Sequence, residues 1–147
     1  MNNIEKNRLQ LVLFLLCGVL FFSTDTAIAD IAIIVHPDNI VDEVDKENLM
    51  RLYLGKRSQI AGVEFIPVDQ IAYQPIREDF YKKVVNKSLA QAKAYWSRMV
   101  FSGKGAPPTS LEGAIEMKEW VSKTPLGVGY IDIREVDDSV KVVLVVK

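Results

Sequence analysis

From residue 30 onward the sequence alternates β-branched runs with segments that carry helix caps, and this alternation restricts the fold more than any other feature. The run Ile31–Val35 is apolar throughout and ends at His36-Pro37, which is typical of a buried strand. Residues 127–131 and 140–146 predict two more strands, and the glycines of the first one predict a close approach of another element. Strands and helices in this order predict an α/β fold, arranged as a single layered domain.

A fourth strand is predicted at residues 65–68, a short apolar run that contains Pro67. Proline cannot donate a backbone hydrogen bond to a neighbouring strand. The strand is therefore expected at a sheet edge, or else the proline is expected at a strand end.

Two helices are predicted from the residues at their ends. Asp45 is a typical N-cap for a helix over residues 46–54, and Gly55 is a typical C-terminal stop. Pro75 suits the first position of a helix that extends to about residue 85, because the first amides of a helix have no partner within it.

Two further helices are indicated by capping boxes, in which a Ser or Thr is followed three residues later by Gln or Glu. Ser88 with Gln91 and Thr109 with Glu112 have this spacing. The apolar residues expected on the buried face of the first of these helices are Leu89, Ala92, Trp96, Met99 and Val100. Those expected to share one side of the second are Leu111, Ala114, Ile115 and Val121.

The N-terminal residues have the pattern of an export signal. Lys6 and Arg8 precede an apolar run over residues 9–22, and Ala27-Ile28-Ala29 matches a small-x-small cleavage site. We expect residues 1–29 to be a cleavable signal peptide and residues 30–147 to form a periplasmic domain. An uncleaved membrane anchor is the alternative, although the run is shorter than the roughly 20 residues of a spanning helix.

Composition excludes several classes of protein. A net charge of -1 with 25% charged residues is typical of an ordinary globular protein, and no basic stripe indicates a nucleic-acid partner. Cys17 is the only cysteine, so residues 30–147 can form neither a disulfide nor a thiol active site. No cofactor motif occurs, and none is expected.

Few residues indicate catalysis or metal binding. His36 is the only histidine, and no Gly-x-Ser-x-Gly elbow accompanies it, so a polar role at a strand end is expected. Asp132, Asp137 and Asp138 lack the spacing of a calcium loop and are expected in turns facing solvent. We therefore expect a protein that is not an enzyme.

The start of the helix at Pro75 is the best candidate for a binding site. A helix N-terminus favours anions, and Arg77 in the first turn could add a two-pronged contact to an oxyanion. The candidate ligand-binding residues are Tyr73, Gln74, Ile76 and Arg77. Ordinary helix capping, with Arg77 paired to Glu78 or Asp79, is the alternative reading of the same residues.

Several segments, taken in order, resemble the phosphate-binding proteins of ABC transporters. The segments are Ala32-Ile33-Ile34-Val35 followed by Pro37-Asp38-Asn39, then Tyr53-Leu54-Gly55-Lys56, Ile66-Pro67-Val68, Gly103-Lys104-Gly105, and Thr124-Pro125-Leu126-Gly127-Val128-Gly129-Tyr130. The last is similar to the Thr-Pro-Gly-x-Ile-Gly-Tyr of that family. The resemblance implies one lobe of a type 2 periplasmic binding protein, whose full-length members bind phosphate between two lobes.

The anion loop departs from the family pattern. Where the family typically has Asp-Gly-Ser-Gly-Thr, this chain has residues 72–76, and only Arg77 suits an anion. The resemblance therefore implies a solute-binding-like domain that takes a small anion, phosphate or sulfate, weakly. The alternative is an interaction module that has lost ligand binding, with an envelope protein or a second copy of the chain as its partner.

Overall fold

A computed structural model describes residues 30–147, and the proposed signal peptide at residues 1–29 lies outside the described residues. The strands are β1 (Ile31–Val35), β2 (Gln59–Ile60), β3 (Val63–Glu64), β4 (Ile66–Gln70), β5 (Thr109–Leu111), β6 (Gly127–Asp132) and β7 (Lys141–Val146). The helices are α1 (Lys46–Tyr53), α2 (Pro75–Phe80), α3 (Leu89–Phe101) and α4 (Gly113–Lys123). A π-helical turn, Tyr81–Val85, continues α2, and a 3₁₀ turn, Ile133–Glu135, follows β6.

Five strands form one mixed sheet in the order β5-β4-β6-β1-β7. β4 runs parallel to β5 and β6, whereas β1 is antiparallel to both β6 and β7. Ile31, at the start of β1, therefore lies opposite both Asp132 and Val146, the last residues of β6 and β7. β2 and β3 form a separate small hairpin.

Helices cover both faces of the sheet, which confirms the predicted α/β class and single layered domain. Alternate residues of β1 separate two cores, as expected for a strand buried on both faces. Ile31, Ile33 and Val35 pack with α1, with α2 and its π turn, and with Ala92 of α3. Ala32 and Ile34 pack with α4. Among residues 30–147, no helix has the length and apolar character that crossing a membrane requires.

Two of the predicted helix starts are present with their predicted bonds. The side chain of Asp45 accepts a hydrogen bond from the Asn48 amide, and Ser88 and Gln91 form the reciprocal capping box. The predicted helix after Pro75 is also present, and its π turn was not indicated by the sequence.

The capping box of Thr109 and Glu112 is a wrong prediction. Residues 109–111 instead form β5, which pairs with β4, and α4 begins at Gly113 without a side-chain cap. Strand pairing takes priority here because Leu111 is buried against Ala32 and Ile34. The predicted face of α4 is wrong at Ile115, which is 81% exposed, whereas Met117 is buried.

Pro67 lies at a strand end, as one of the two alternatives predicted, and not at a sheet edge. β4 has neighbours on both sides, but β6 pairs with it at Ile66 and Pro67, while β5 pairs only from Val68 onward. The missing amide of Pro67 therefore removes no bond to β5.

The glycines of β6 allow α4 to pack very close to the sheet, as predicted. A Cβ on Gly129 would lie 2.3 Å from Sδ of Met117, and one on Gly127 would lie 3.0 Å from the carbonyl oxygen of Thr124. A side chain at either position would therefore require atoms packed on the sheet to shift, such as Met117 Sδ at Gly129.

Candidate binding groove

A buried carboxylate, Asp69, is the penultimate residue of the parallel strand β4 and accepts hydrogen bonds from side chains of α2, its π turn and β6. Its Oδ2 accepts from Nε and Nη2 of Arg77, at 3.0 and 2.9 Å, and from the Tyr81 hydroxyl at 2.8 Å. Its Oδ1 accepts from the Tyr130 hydroxyl at 2.5 Å and from the Gln70 amide at 2.8 Å. Asp69 is only 2% exposed, so these five bonds replace the water that its charge has lost.

The environment keeps every donor around Asp69 protonated. Burial raises the pKa of the Tyr81 and Tyr130 hydroxyls, and the negative charge of Asp69 raises it further. Burial alone would lower the pKa of the Arg77 guanidinium, but its bond to Asp69 and the charge of that carboxylate outweigh burial and hold this pKa above its ordinary value.

A groove of about 690 Å³ opens above this cluster, between α3 and the segment that leads into β5. We call it the α3 groove. Its polar lining consists of Asp69, Arg77, Tyr81, Lys93, Ser97 and Ser110. Asp69 and Ser110 bring it to the carboxyl ends of the parallel strands β4 and β5, the position at which open α/β sheets commonly bind ligands.

The remaining walls of the α3 groove are apolar. They are formed mainly by Leu89, Ala92, Trp96, Val100, Phe101, Pro107 and Pro108. The predicted buried face of α3 is wrong at Val100, which is 54% exposed, and the adjacent Phe101 is 94% exposed. The C-terminal end of α3 thus presents apolar side chains to the groove and to solvent instead of to the core.

Trp96 forms a wall of the α3 groove, and Gly55 makes room for its ring, whereas Gly105 lies at ordinary contact distance. A Cβ on Gly55 would lie 3.1 Å from the Trp96 ring, and a Cβ on Gly105 would lie 3.9 Å from it. Both glycines also have positive φ, a backbone conformation that glycine adopts readily. The Leu-Gly-Lys and Gly-Lys-Gly motifs therefore each form a backbone turn that lies beside the Trp96 ring. Within residues 30–147, the buried Nε1 of Trp96 has no hydrogen-bond partner.

Of the four residues predicted for the site, the structure places Arg77 in the α3 groove. Tyr73 is 76% exposed in the preceding loop, and Ile76 packs against the core. Gln74 is the N-cap of α2 but makes no side-chain capping bond, and its carbonyl accepts the Arg77 amide at 3.0 Å. The predicted site at the start of α2 and the α3 groove therefore share only Arg77.

Arg77 does pair with a carboxylate, as the alternative reading predicted, but the partner is neither Glu78 nor Asp79. Its guanidinium binds Asp69, whereas Glu78 pairs with Lys82. Sequence reasoning missed Asp69 because a charged residue at the end of a strand is usually solvated. No local signal marks it, because its neighbour Gln70 is also polar and the burial of both residues is evident only in the fold.

The other polar residues singled out by the sequence have local roles. Nδ1 of His36 accepts the Asp38 amide at 3.1 Å at the end of β1. Asp132 pairs with Arg134, and Asp137 pairs with Lys118. Across residues 30–147, no cluster of three histidine, cysteine or acidic side chains is arranged to hold a metal ion.

The described residues have the fold of one lobe of the class of type 2 periplasmic binding proteins. Similar solved structures are phosphate-binding members of that class, as the sequence resemblance implied. One, from Clostridium perfringens, is described as a phosphate ABC transporter substrate-binding protein with bound phosphate. It superposes with a TM-score of 0.61 at 22% identity, over 78% of this chain and 45% of its own.

An ABC-type phosphate transport receptor from Vibrio cholerae gives a TM-score of 0.61 at 23% identity, over 78% of this chain and 46% of its own. PstS from Borrelia burgdorferi gives 0.53 at 16% identity, over 78% and 47%. The chain thus spans about half the length of the structures it matches. No protein-family model and no curated protein matches the sequence.

Proposed function

We propose that this chain is a non-enzymatic, solute-binding lobe of the periplasm that holds a small anion, phosphate or sulfate, in the α3 groove. The observation that carries the proposal is the position of Arg77, at the carboxyl end of β4 in the lobe fold of phosphate-binding proteins. Lys93 adds a second positive charge, and Ser97 and Ser110 add hydroxyl donors.

The affinity of this site is expected to be modest. Two of the three guanidinium nitrogens of Arg77 already bind Asp69, and the opposite charges of the pair largely cancel. An open groove also buries less of a ligand than a closed cleft. A dissociation constant in the millimolar range, or about -4 kcal/mol, follows from these losses.

Discrimination between phosphate and sulfate is expected to be poor. Selecting hydrogen phosphate needs a buried acceptor that sulfate leaves unpaired. Asp69 is the only buried carboxylate among the residues that line the α3 groove, and five donors already occupy it. We therefore expect the two anions to bind within about tenfold of each other.

Titration calorimetry with phosphate and with sulfate tests the proposal. Lys93→Ala should weaken both anions, and the paired change Asp69→Asn with Arg77→Gln should abolish binding while retaining neutral hydrogen-bonding groups. Lys82→Ala is the matched control, because this lysine is exposed, pairs with Glu78 and lies outside the groove.

Absence of heat for both anions at roughly ten-millimolar concentration, which corresponds to about -3 kcal/mol, would refute anion binding. The better hypothesis would then be that the chain is an interaction module, which binds an envelope protein or a second copy of itself. Equal weakening by Lys82→Ala and Lys93→Ala would show that the anions bind the surface generally and not the groove.

A further inference from the structure

The α3 groove is larger and more apolar than an inorganic anion requires. One face of α3 lines it along its whole length, through residues spaced three and four apart that include Leu89, Lys93, Trp96 and Val100. At 1.5 Å per residue, the stretch from Leu89 to Phe101 is on the order of 18 Å long. A bare phosphate ion would fill a fraction of this length and leave the apolar wall in water.

The apolar wall carries side chains that the fold itself leaves uncovered. Val100 and Phe101 are 54% and 94% exposed, although they are adjacent on a helix whose Trp96 is only 7% exposed. Pro107 and Pro108 line the same groove. Covering such surfaces with an apolar ligand group is favourable, by about fourfold in affinity for each buried methylene.

The polar part of the same groove selects for negative charge. Arg77 and Asp69 neutralise each other through two hydrogen bonds. Lys93 lines the groove as well, and within residues 30–147 no carboxylate lies at salt-bridge distance from it. The groove therefore carries a net positive charge beside an apolar wall.

We infer that the α3 groove binds an organic anion with an apolar body, such as an aryl or alkyl phosphate or carboxylate, in preference to inorganic phosphate. The anionic head lies at Lys93 and the free side of Arg77, and the apolar body lies along Trp96, Val100 and Phe101. The inference rests on the proposed anion site in the same groove and names its ligand class.

Phenyl phosphate, inorganic phosphate and phenol separate the two contributions. The full chain with Trp120→Phe leaves Trp96 as its only tryptophan, so its emission reports on the groove wall. Phenyl phosphate should bind at least about tenfold more tightly than inorganic phosphate, because its ring leaves water. It should also bind at least about tenfold more tightly than phenol, because phenol lacks the charge, and it should change the Trp96 emission.

Phe101→Ser should weaken phenyl phosphate until its affinity is within about threefold of that for inorganic phosphate. Ile115→Ser is the matched control, since Ile115 is an equally uncovered apolar residue on α4, is 81% exposed and does not line the groove. It should leave both affinities unchanged. Because both side chains face solvent, neither variant is expected to perturb folding.

Inorganic phosphate binding as tightly as phenyl phosphate would overturn the inference and leave the proposed anion site intact. Phenol binding as tightly as phenyl phosphate would overturn it by showing that charge has no role. Insensitivity of phenyl phosphate to Phe101→Ser would overturn it as well. Binding of none of the three compounds would overturn the inference and the proposed function together.

Discussion

Asp69 links several elements beside the α3 groove, because its charge is buried and its donors lie on β4, on β6 and on α2 with its π turn. We predict that Tyr130→Phe lowers the free energy of unfolding by about 1.5–3 kcal/mol, since the lost hydroxyl donates to a charged acceptor. The ring would still stack on Phe80, at 3.8 Å between centroids. Urea denaturation measures the change.

Tyr53→Phe is the matched control for this prediction. Tyr53 is equally buried, but its hydroxyl donates to the backbone carbonyl of Val68 at 2.9 Å, a neutral acceptor. Its loss should therefore be smaller, about 0.5–1.5 kcal/mol. Equal losses for the two variants would mean that the charge of Asp69 adds nothing to the Tyr130 bond.

Single residues of the site were predictable only where local sequence determines their place. Arg77 follows a proline at a helix start, and this pattern indicated both the helix and the cation. The Tyr130–Asp69 bond depends on β4 and β6 being neighbours, although 61 residues separate the two side chains. No local pattern encodes that adjacency, and the sequence therefore could not indicate the saturation of Asp69.

The packing of α4 on β6 depends on the absence of a side chain at Gly129. We predict that Gly129→Ala lowers the free energy of unfolding by about 1–3 kcal/mol, because the new methyl group overlaps Met117. In the background of Met117→Ala the same change should cost less, since the overlapping atoms are gone. Urea denaturation of the four proteins of this cycle gives the coupling, and additive losses would contradict the overlap.

A salt bridge joins α4 to the loop before β7 and makes stability depend on acid pH. Bonds from Lys118 and Ser139 lower the pKa of Asp137 from 3.8 to about 2. A lowered folded-state pKa contributes stability that is fully present above the unfolded pKa, near pH 4, and is lost as pH falls towards 2.

Lys118→Met should move the pKa of Asp137 upward, because the Lys118 bond is the main cause of its depression. NMR titration of the Asp137 carboxyl carbon measures this shift directly. Since the carboxylate faces solvent, added salt should also reduce the shift in the unmodified protein. A pKa that is the same in both proteins would exclude the salt bridge as its cause.

Whole elements were predicted well where periodicity and helix caps agree. They were predicted poorly where pairing with a distant strand determines the secondary structure. β1 is apolar throughout, β6 and β7 are mainly apolar, and the Ser88–Gln91 box marks the start of α3 by itself. β5 has only three residues, and it is a strand because β4 lies beside it. The start of α3 was predictable, but the exposure of its last residues depends on the groove and was not.

For the molecule as a whole, export is the prediction that the amino-terminal sequence makes. The charged start, the apolar run and Ala27-Ile28-Ala29 predict cleavage after residue 29. Amino-terminal sequencing of protein from a periplasmic extract should therefore begin at Asp30. Recovery of a chain that begins at Met1 in the membrane fraction would establish the uncleaved anchor instead.

The position of β1 has a consequence for when the chain can fold. This strand is the first to leave the ribosome among those described, yet its two neighbours in the sheet, β6 and β7, are the last. Its apolar residues cannot be covered on both sides until β7 has been synthesised, and such distant pairing also forms slowly. We therefore expect β1 to stay unpaired while β2 to β5 are synthesised, and its two faces to be covered only once β7 has emerged.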